Sequence, residues 1–212
     1  LSQKALADVV GEVLGKVSGF GAIEIGKGVR VNNEFISANP TGPLHLGNGR
    51  GGFYADSLSR VLHKAGYDVT NEYYINDAGE QVMKLGHSVL KDSEAVYGGD
   101  YIEELNKRLT TDDVRQESVQ EVGEWAAEVV MNEIFRPTLT DRMAITFDVF
   151  TSEMNDIVEK TYVDKAIATF KEKGLTFEEE GALWLKTTQF GDDKDRVLVK
   201  GDGTRTYFAS DC

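Results

Sequence analysis

The stretch Ser-Ala-Asn-Pro-Thr-Gly-Pro-Leu-His-Leu-Gly-Asn-Gly-Arg-Gly-Gly occupies residues 37–52 and decides how the chain around it folds. Its first half cannot be helical, because two prolines and a glycine fall within residues 38–43. From Leu46 onward the pattern predicts a helix, with apolar residues at helical spacing and a glycine in the position that ends helices. The residues of this pattern are Ala55, Leu58, Val61, Leu62, Ala65 and the terminating Gly66.

The segments on either side of this loop and helix predict strands. Residues 31–37 (VNNEFIS) read as a buried strand, and residues 68–75 (DVTNEYYI) as a second one. A strand, a crossover helix and another strand form a parallel βαβ unit. The sequence therefore predicts an α/β fold.

The loop has the properties of a phosphate-binding site. In open α/β sheets, ligands bind at the carboxyl ends of the strands, and the loop follows directly after a strand. The N-terminus of the next helix offers free N–H groups and the positive end of its dipole. His45 and Asn48 can add side-chain donors, and four nearby glycines let a ligand approach closely. The loop is neither a P-loop, since it lacks Gly-Lys-Ser/Thr, nor a dinucleotide fingerprint, since Pro and His stand in the turn.

Helices are predicted before and after this unit, over residues 1–20, 78–91 and 161–173, and the region 92–174 is mainly helical. One apolar stripe in that region is typical of a core: Val122, Trp125, Ala126, Val129, Val130 and Ile134. Strands are predicted at residues 146–150, 175–180, 182–187, 196–200 and 206–210, with a turn at 201–204.

Composition limits the classes of function. The net charge of −13 argues against a sequence-independent grip on nucleic acid by this segment. It is compatible with a cationic small substrate, and equally with an acidic surface that keeps the protein in solution. The single cysteine, Cys212, excludes a disulfide framework and a cysteine-based zinc site. With no bilayer-spanning apolar run and no signal-peptide pattern, we expect a cytoplasmic protein without a membrane partner.

His45-Leu46-Gly47-Asn48 resembles the HIGH signature of class I aminoacyl-tRNA synthetases. A bare His-x-Gly is weak, but the surrounding blocks are specific and follow in family order over residues 31–211. They resemble the arginyl-tRNA synthetases of the bacterial type. The blocks are residues 34–43, 72–79, 147–150, 152–153, 191–198, 202–203 and 206–207.

The resemblance implies a Rossmann-like parallel βαβ half-domain with an inserted α+β subdomain. Residues 1–20 would be an N-terminal helix, and residues 21–91 the first half of the nucleotide-binding domain. Residues 92–205 would be the insertion, and residues 206–212 a strand returning into the catalytic domain. The second signature of the family, KMSK, and the second half of the nucleotide fold are missing. We therefore expect a truncated chain that is inactive alone.

The resemblance further implies ATP-dependent activation of L-arginine to arginyl-adenylate and transfer to the 3′-terminal adenosine of tRNA(Arg). His45 and Asn48 would be catalytic, stabilising the α-phosphate as the arginine carboxylate attacks it. Asn48 replaces the second histidine of the signature, and its amide can donate but cannot become cationic. The ATP-binding set implied is Pro40, Thr41, Gly42, His45, Gly47 and Asn48.

The family's arginine pocket maps onto Glu34, Ser37, Asn39, Asn48, Tyr207 and Asp211. The chemistry fits, because a guanidinium group pairs with a carboxylate such as Asp211 in a fork. Taken alone, Tyr207 and Asp211 also fit a strand tyrosine and a helix-capping aspartate. Asn76, Asp77 and Gln81 could form a second substrate contact or simply start a helix.

No protein metal site is predicted. Residues 192–195 are acidic but interleaved with Lys194 and followed by Arg196, which favours a solvated turn. Mg²⁺ would arrive with ATP and keep mostly water ligands. We expect a monomer. Two other interpretations stay open: another nucleotidyl-transfer enzyme, such as a cysteine or glutamate ligase, and a non-catalytic binding module.

Overall fold

The computed structural model describes residues 2–109, 118–158 and 161–212. The chain divides into two compact units, Leu1–Thr151 and Ser152–Cys212. This division rests on compactness alone. The predicted domain division at residues 20, 91 and 205 therefore stays a prediction.

The first helix, α1 (Gln3–Lys16), confirms the predicted N-terminal helix, and a 3₁₀ turn, Val17–Gly19, follows it. The Ser2 side chain accepts a hydrogen bond from the Ala5 amide and caps its start. No residue of α1 is buried. Its apolar stripe is exposed in the first unit: Leu6, Val9, Val10, Val13, Leu14 and, just beyond the helix, Val17.

The predicted parallel βαβ unit is confirmed. Strand β1 (Arg30–Glu34) leads through α2 (Leu46–Lys64) to β2 (Asp68–Ile75), and the two strands pair in parallel. Gly66 follows α2 with φ +85°, the left-handed conformation that ends helices.

The predicted strand 31–37 is too long. Ile36 and Ser37 have φ values of +65° and +38°, which no strand accommodates, so the ladder ends near Phe35. The sharp turn that they form directs the chain away from the sheet and into the glycine- and proline-rich loop.

A polar network joins α2 to both strands. The Asn33 amide donates to the Ala55 carbonyl (3.1 Å) and to Ser59 Oγ (2.7 Å). Ser59 Oγ donates in turn to Asn71 Oδ1 at 2.5 Å. Ser59 is buried, so these bonds satisfy polar groups that would otherwise cost stability. The network fixes α2, and hence its N-terminus, relative to the sheet.

Three further helices build the main core of the first unit: α3 (Glu80–Leu90), α4 (Asp100–Arg108) and α5 (Val119–Val129). Helices α3 and α5 touch through their backbones, because a Cβ at Gly86 would lie 2.2 Å from the Val119 carbonyl oxygen. A Cβ at Gly123 would lie 2.2 Å from the Val82 carbonyl oxygen. The predicted apolar stripe is confirmed as core: three of its residues are buried and three pack against them.

Beyond α5 the chain continues through π-helical segments, Val130–Phe135 and Thr138–Arg142, and then reaches β3 (Val149–Ser152). Strand β3 lies beside β2, giving the order β1-β2-β3. The strand predicted at 146–150 is therefore displaced toward the C-terminus. Just before β3, Asp148 bonds to β2 through its side chain as well as its backbone: its carboxylate accepts from the Asn71 amide at 2.8 Å, and its amide donates to the Asn71 carbonyl at 2.9 Å.

The second unit contains α6 (Tyr162–Glu172), β4 (Thr176–Glu179), β5 (Ala182–Leu185), β6 (Arg196–Val199) and α7 (Tyr207–Asp211). All three of these strands were predicted, and they form an antiparallel sheet in sequence order. The core of this unit is Val163, Leu183, Leu185, Leu198 and Ala209.

The strand predicted at 206–210, and with it the return strand 206–212, is wrong. Residues 207–211 form the short helix α7, because the Thr206 side chain accepts from the Ala209 amide and caps a helix there. Only a single bridge, Val199↔Arg205, extends the antiparallel pairing beyond the turn at 201–204 in the described residues.

Across the described ranges, every helix is too short or too polar to cross a membrane.

Candidate functional site

A cavity of about 540 Å³ lies beside the loop that follows β1. Six of the residues predicted for substrate binding line it together: Ser37, Asn39, Thr41, Gly42, His45 and Asn48. The structure thus brings residues of the predicted ATP set and of the predicted arginine set to one place.

Three other predicted residues in the first unit lie outside the lining of this cavity. Glu34 is exposed at the end of β1, and Gly47 is exposed in the first turn of α2. Pro40, within the loop, is fully buried. Their roles at the site stay predictions.

His45 and Asn48 form a capping box at the N-terminus of α2. The Gly47 amide donates to His45 Nδ1 at 3.1 Å, and the His45 amide donates to Asn48 Oδ1 at 3.0 Å. The two side chains thereby satisfy backbone donors at a helix end that has no intrahelical partners for them. The same bonds fix the orientation of both side chains.

The capping box decides which atoms remain for a ligand. Because Nδ1 of His45 accepts a hydrogen bond, the neutral imidazole carries its proton on Nε2 and donates from there. Asn48 uses its oxygen for the box, so its amide nitrogen is available as a donor. No acidic residue lies in the first turn of α2, so the positive end of the helix dipole is not neutralised locally. This end of α2 suits an anion.

The loop before α2 is held from β2. Ser37 Oγ accepts from the Tyr74 amide at 3.1 Å, and the Tyr73 hydroxyl donates to the Ala38 carbonyl at 3.0 Å. Tyr73 is completely buried, and burial raises the pKa of its hydroxyl well above the usual range. It therefore stays a hydrogen-bond donor. These contacts stabilise the left-handed residues at 36 and 37, which would otherwise be costly.

An aromatic wall completes the cavity, and the sequence analysis missed it. Tyr97, Tyr101 and Phe135 line the cavity opposite loop residues. Tyr97 precedes α4, Tyr101 lies in its first turn, and Phe135 ends the π-helical segment after α5. A spacing of four residues between two tyrosines was the only local signal, and nothing in the sequence related them to a loop about sixty positions earlier.

Tyr207 and Asp211 lie on α7, in the second unit. Tyr207 is exposed there. Their predicted part in arginine binding stays a prediction. Among the looser candidates, Gln81 accepts a hydrogen bond from the Tyr97 hydroxyl, so it lies at the edge of the aromatic wall.

The acidic stretch after β5 forms a network with an arginine. Arg196 donates to both carboxylate oxygens of Asp192, at 2.7 and 2.8 Å, and to Asp193 at 2.9 Å. The hydrogen bond from Arg196 holds the pKa of Asp192 below its ordinary value. In the residues that the structure describes, no group of three or more His, Cys, Asp or Glu side chains is placed to hold a metal ion.

Comparison with protein families gives a match over almost the whole chain. A family model described as "tRNA synthetases class I (R), catalytic domain" matches residues 21–212. A curated protein named arginine–tRNA ligase, from Desulfosudis oleivorans, is 44% identical over 91% of this chain and 37% of its own length. One of the same name, from Anoxybacillus flavithermus, is 42% identical over 100% of this chain and 41% of its own length.

Solved structures agree with this match. A structure described as an arginyl-tRNA synthetase from Campylobacter jejuni superposes with a TM-score of 0.82 at 31% identity, covering 100% of this chain and 49% of that one. The Thermus thermophilus arginyl-tRNA synthetase gives a TM-score of 0.63 at 25% identity, with 90% and 36% covered. The chain thus spans well under half the length of the two curated relatives.

Proposed function

Since the chain belongs to the family of class I tRNA synthetase catalytic domains of the arginine type, we propose that it binds ATP and L-arginine as part of an arginine–tRNA ligase. The observation that supports this most is the cavity beside α2, where six predicted binding residues meet. A capped helix N-terminus with two oriented donors is a physical site for phosphate groups.

In the proposed reaction, a carboxylate oxygen of arginine attacks the α-phosphorus of ATP and pyrophosphate leaves, giving arginyl-adenylate. A ribose hydroxyl of the terminal adenosine of tRNA(Arg) then attacks the acyl carbon, and AMP leaves. His45 Nε2 and the Asn48 amide would donate to the phosphate oxygens as charge develops on them. Donors held in place before the reaction are worth about 10²- to 10³-fold in rate each.

Arginine would be bound by Glu34, Ser37, Asn39, Asn48, Tyr207 and Asp211. The polar residues near β1 suit the α-ammonium group, and the carboxylate of Asp211 suits the guanidinium group. The family resemblance supports the assignment of Tyr207 and Asp211. The Ser37 hydroxyl oxygen already accepts from the Tyr74 amide, and its proton makes only a long bond, 3.5 Å, to the Phe35 carbonyl. A substrate contact by this hydroxyl would replace that long bond.

The remaining parts of the proposal rest on the family. Mg²⁺ would accompany ATP, bound mainly through phosphate oxygens and water. The protein would act as a monomer in the cytoplasm, with tRNA(Arg) as its macromolecular partner. Residues 92–205 would form an insertion within the nucleotide-binding domain.

The test is calorimetric titration of the chain with a non-hydrolysable ATP analogue, and then with arginine, lysine and citrulline in its presence. We expect binding of the analogue and a preference for arginine, because citrulline has the shape of arginine without its charge. A chain that binds none of these ligands would contradict the proposal and would favour a scaffold role. Binding of lysine as tightly as arginine would contradict the guanidinium pocket.

A further inference from the structure

Tyr101 makes a contact with the phosphate-binding loop that no comparison assigns. It lies in the first turn of α4, and its hydroxyl donates to the backbone carbonyl of Thr41 at 2.7 Å. Thr41 lies in the middle of the loop, 60 positions earlier in the chain. The bond therefore links the region after residue 92 directly to the backbone that precedes His45.

The contact is tight, and a glycine permits it. A Cβ at position 42 would lie 3.0 Å from the Tyr101 hydroxyl oxygen and 3.3 Å from the ring carbon that carries it. Such distances are shorter than ordinary van der Waals contacts. Any side chain at position 42 would therefore press against the hydroxyl group and strain its bond to the neighbouring Thr41.

Within residues 39–44, Pro40 and Leu44 are held by packing, while the polar backbone between them is held by the bond from Tyr101. The loop is held at its start by Tyr73 and Tyr74, through Ala38 and Ser37, and at its end by the capping box of α2. Among the described residues, Tyr101 provides the tertiary hydrogen bond to residues 39–44. The other backbone hydrogen bond in this stretch is local and runs from the Thr41 amide to the Asn39 carbonyl.

We propose that Tyr101 is a positioning residue, whose hydroxyl fixes the Thr41 carbonyl and thereby holds residues 39–44 in the conformation that receives nucleotide phosphates. The inference rests on the proposed function. Positioning within a fraction of an ångström is required for such sites, and it depends on side chains that are themselves locked in place.

The chemistry of the hydroxyl suits this role. Burial, followed by the neighbouring Tyr97, raises the pKa of Tyr101 above its ordinary value of 10.0. The group therefore keeps its proton, and so its bond to Thr41, at neutral pH.

The experiment compares Tyr101→Phe with the parent chain in two measurements. The first is calorimetric affinity for a non-hydrolysable ATP analogue and for adenosine. The second is hydrogen exchange of the loop amides of Asn39, Thr41, Gly42 and Leu44. We expect the variant to bind the analogue about tenfold more weakly, the usual effect of one hydrogen bond. Adenosine, which has no phosphate, should bind within about twofold of the parent, and loop exchange should rise about tenfold.

Two further variants separate positioning from general damage. Tyr162→Phe removes a hydroxyl from an exposed tyrosine of the second unit and should change neither measurement. Gly42→Ala strains the same contact from the loop side and should reproduce the loss for the ATP analogue. Because its nearest clash is with the hydroxyl oxygen, its effect and that of Tyr101→Phe should be less than additive.

Each outcome decides a different point. Unchanged loop exchange in Tyr101→Phe, or faster exchange with unchanged affinity for the analogue, overturns the positioning role while the proposed function stands. Equal losses for adenosine and the analogue also overturn it, since they indicate damage to the whole cavity. A parent chain that binds no analogue overturns the proposed function itself, and the positioning role with it.

Discussion

Two polar loops of this chain use their side chains in opposite ways. In residues 187–196 of the second unit, the polar groups pair with one another: Arg196 with Asp192, and the Thr188 hydroxyl with Asp195 at 2.8 Å. In residues 37–48 of the first unit, the side chains of His45 and Asn48 each accept one hydrogen bond from a backbone amide and keep one donor beside a cavity.

The difference shows why polarity alone is a poor guide to a binding site. The acidic loop has more charge, with three carboxylates and two cations, and most of this charge is compensated within the loop. The loop before α2 is nearly neutral, but a helix dipole and oriented donors converge there. A loop can bind a ligand when some of its hydrogen-bond donors are not used within the fold and lie beside a cavity, as those of His45 and Asn48 do.

The largest effect is expected in the first unit, at the contact between α3 and α5. Gly86→Ala places a methyl group 2.2 Å from the Val119 carbonyl, so α3 and α5 must move apart. We expect a loss of about 3 kcal/mol or more in the free energy of unfolding. Urea unfolding followed by circular dichroism measures it.

The matched control is Gly15→Ala in α1, where a Cβ meets nothing within 4 Å. An alanine in a helix interior stabilises by roughly 0.5–1 kcal/mol relative to glycine. A Gly86→Ala protein as stable as this control would show that the two helices do not touch through their backbones.

The second prediction separates the two uses of Asn48. Asn48→Asp keeps an oxygen for the His45 amide but replaces the donor with a negative charge beside the proposed phosphate position. We expect unchanged or slightly improved stability, because acidic residues suit the first turn of a helix. Affinity for an ATP analogue, measured by calorimetry, should fall about 100-fold, reflecting the lost donor and the added repulsion.

Asn48→Ala is the matched variant, since it removes donor and acceptor together. It should lose about 1 kcal/mol of stability, as helix caps do, and weaken binding less than the aspartate. If both variants bind the analogue as the parent does, Asn48 serves the helix alone and the contrast between the two loops disappears.

The smallest effect is expected in the self-paired loop. Arg196→Met removes the group that lowers the pKa of Asp192. A carboxylate whose pKa is lower in the folded than in the unfolded state stabilises the fold at pH values above its pKa in the unfolded state, here 3.8. This contribution is lost as the pH falls through the pKa of the folded state. The parent should therefore lose thermal stability more steeply than the variant on acidification below pH 4.

Lys194→Met changes the same charge in the same loop without touching this ion pair, so it should keep the acid slope of the parent. Affinity for the ATP analogue should be unchanged in both variants. An Arg196→Met protein with the parent's slope would show that the ion pair has no effect on Asp192 in solution.

Several features of the fold were predictable because they depend on neighbours in sequence. The spacing of Ala55, Leu58 and Val61, with Gly66 after them, fixed the crossover helix, and the parallel pairing followed from it. The proline-rich turn located the loop. The meeting of Ser37, Asn39, His45 and Asn48 at one cavity followed from the same local order.

Other features depend on contacts that local patterns do not carry. The end of β1 is set by left-handed residues, one of them the β-branched Ile36, which intrinsic propensity favours in a strand. Residues 207–211 have aromatic, strand-like composition, yet the cap from Thr206 makes them helical. The aromatic wall arises from tertiary packing over about sixty residues, which sequence spacing cannot reveal.

The capping box of α2 also has a practical consequence for ligand screening. A molecule that accepts from His45 Nε2 adds a further bond to side chains that already close the end of a helix. Its occupancy should therefore raise the melting temperature of the first unit, in proportion to the logarithm of its concentration over its dissociation constant. Fragment libraries of small oxyanions could then be ranked on this chain by melting curves, with no turnover to follow.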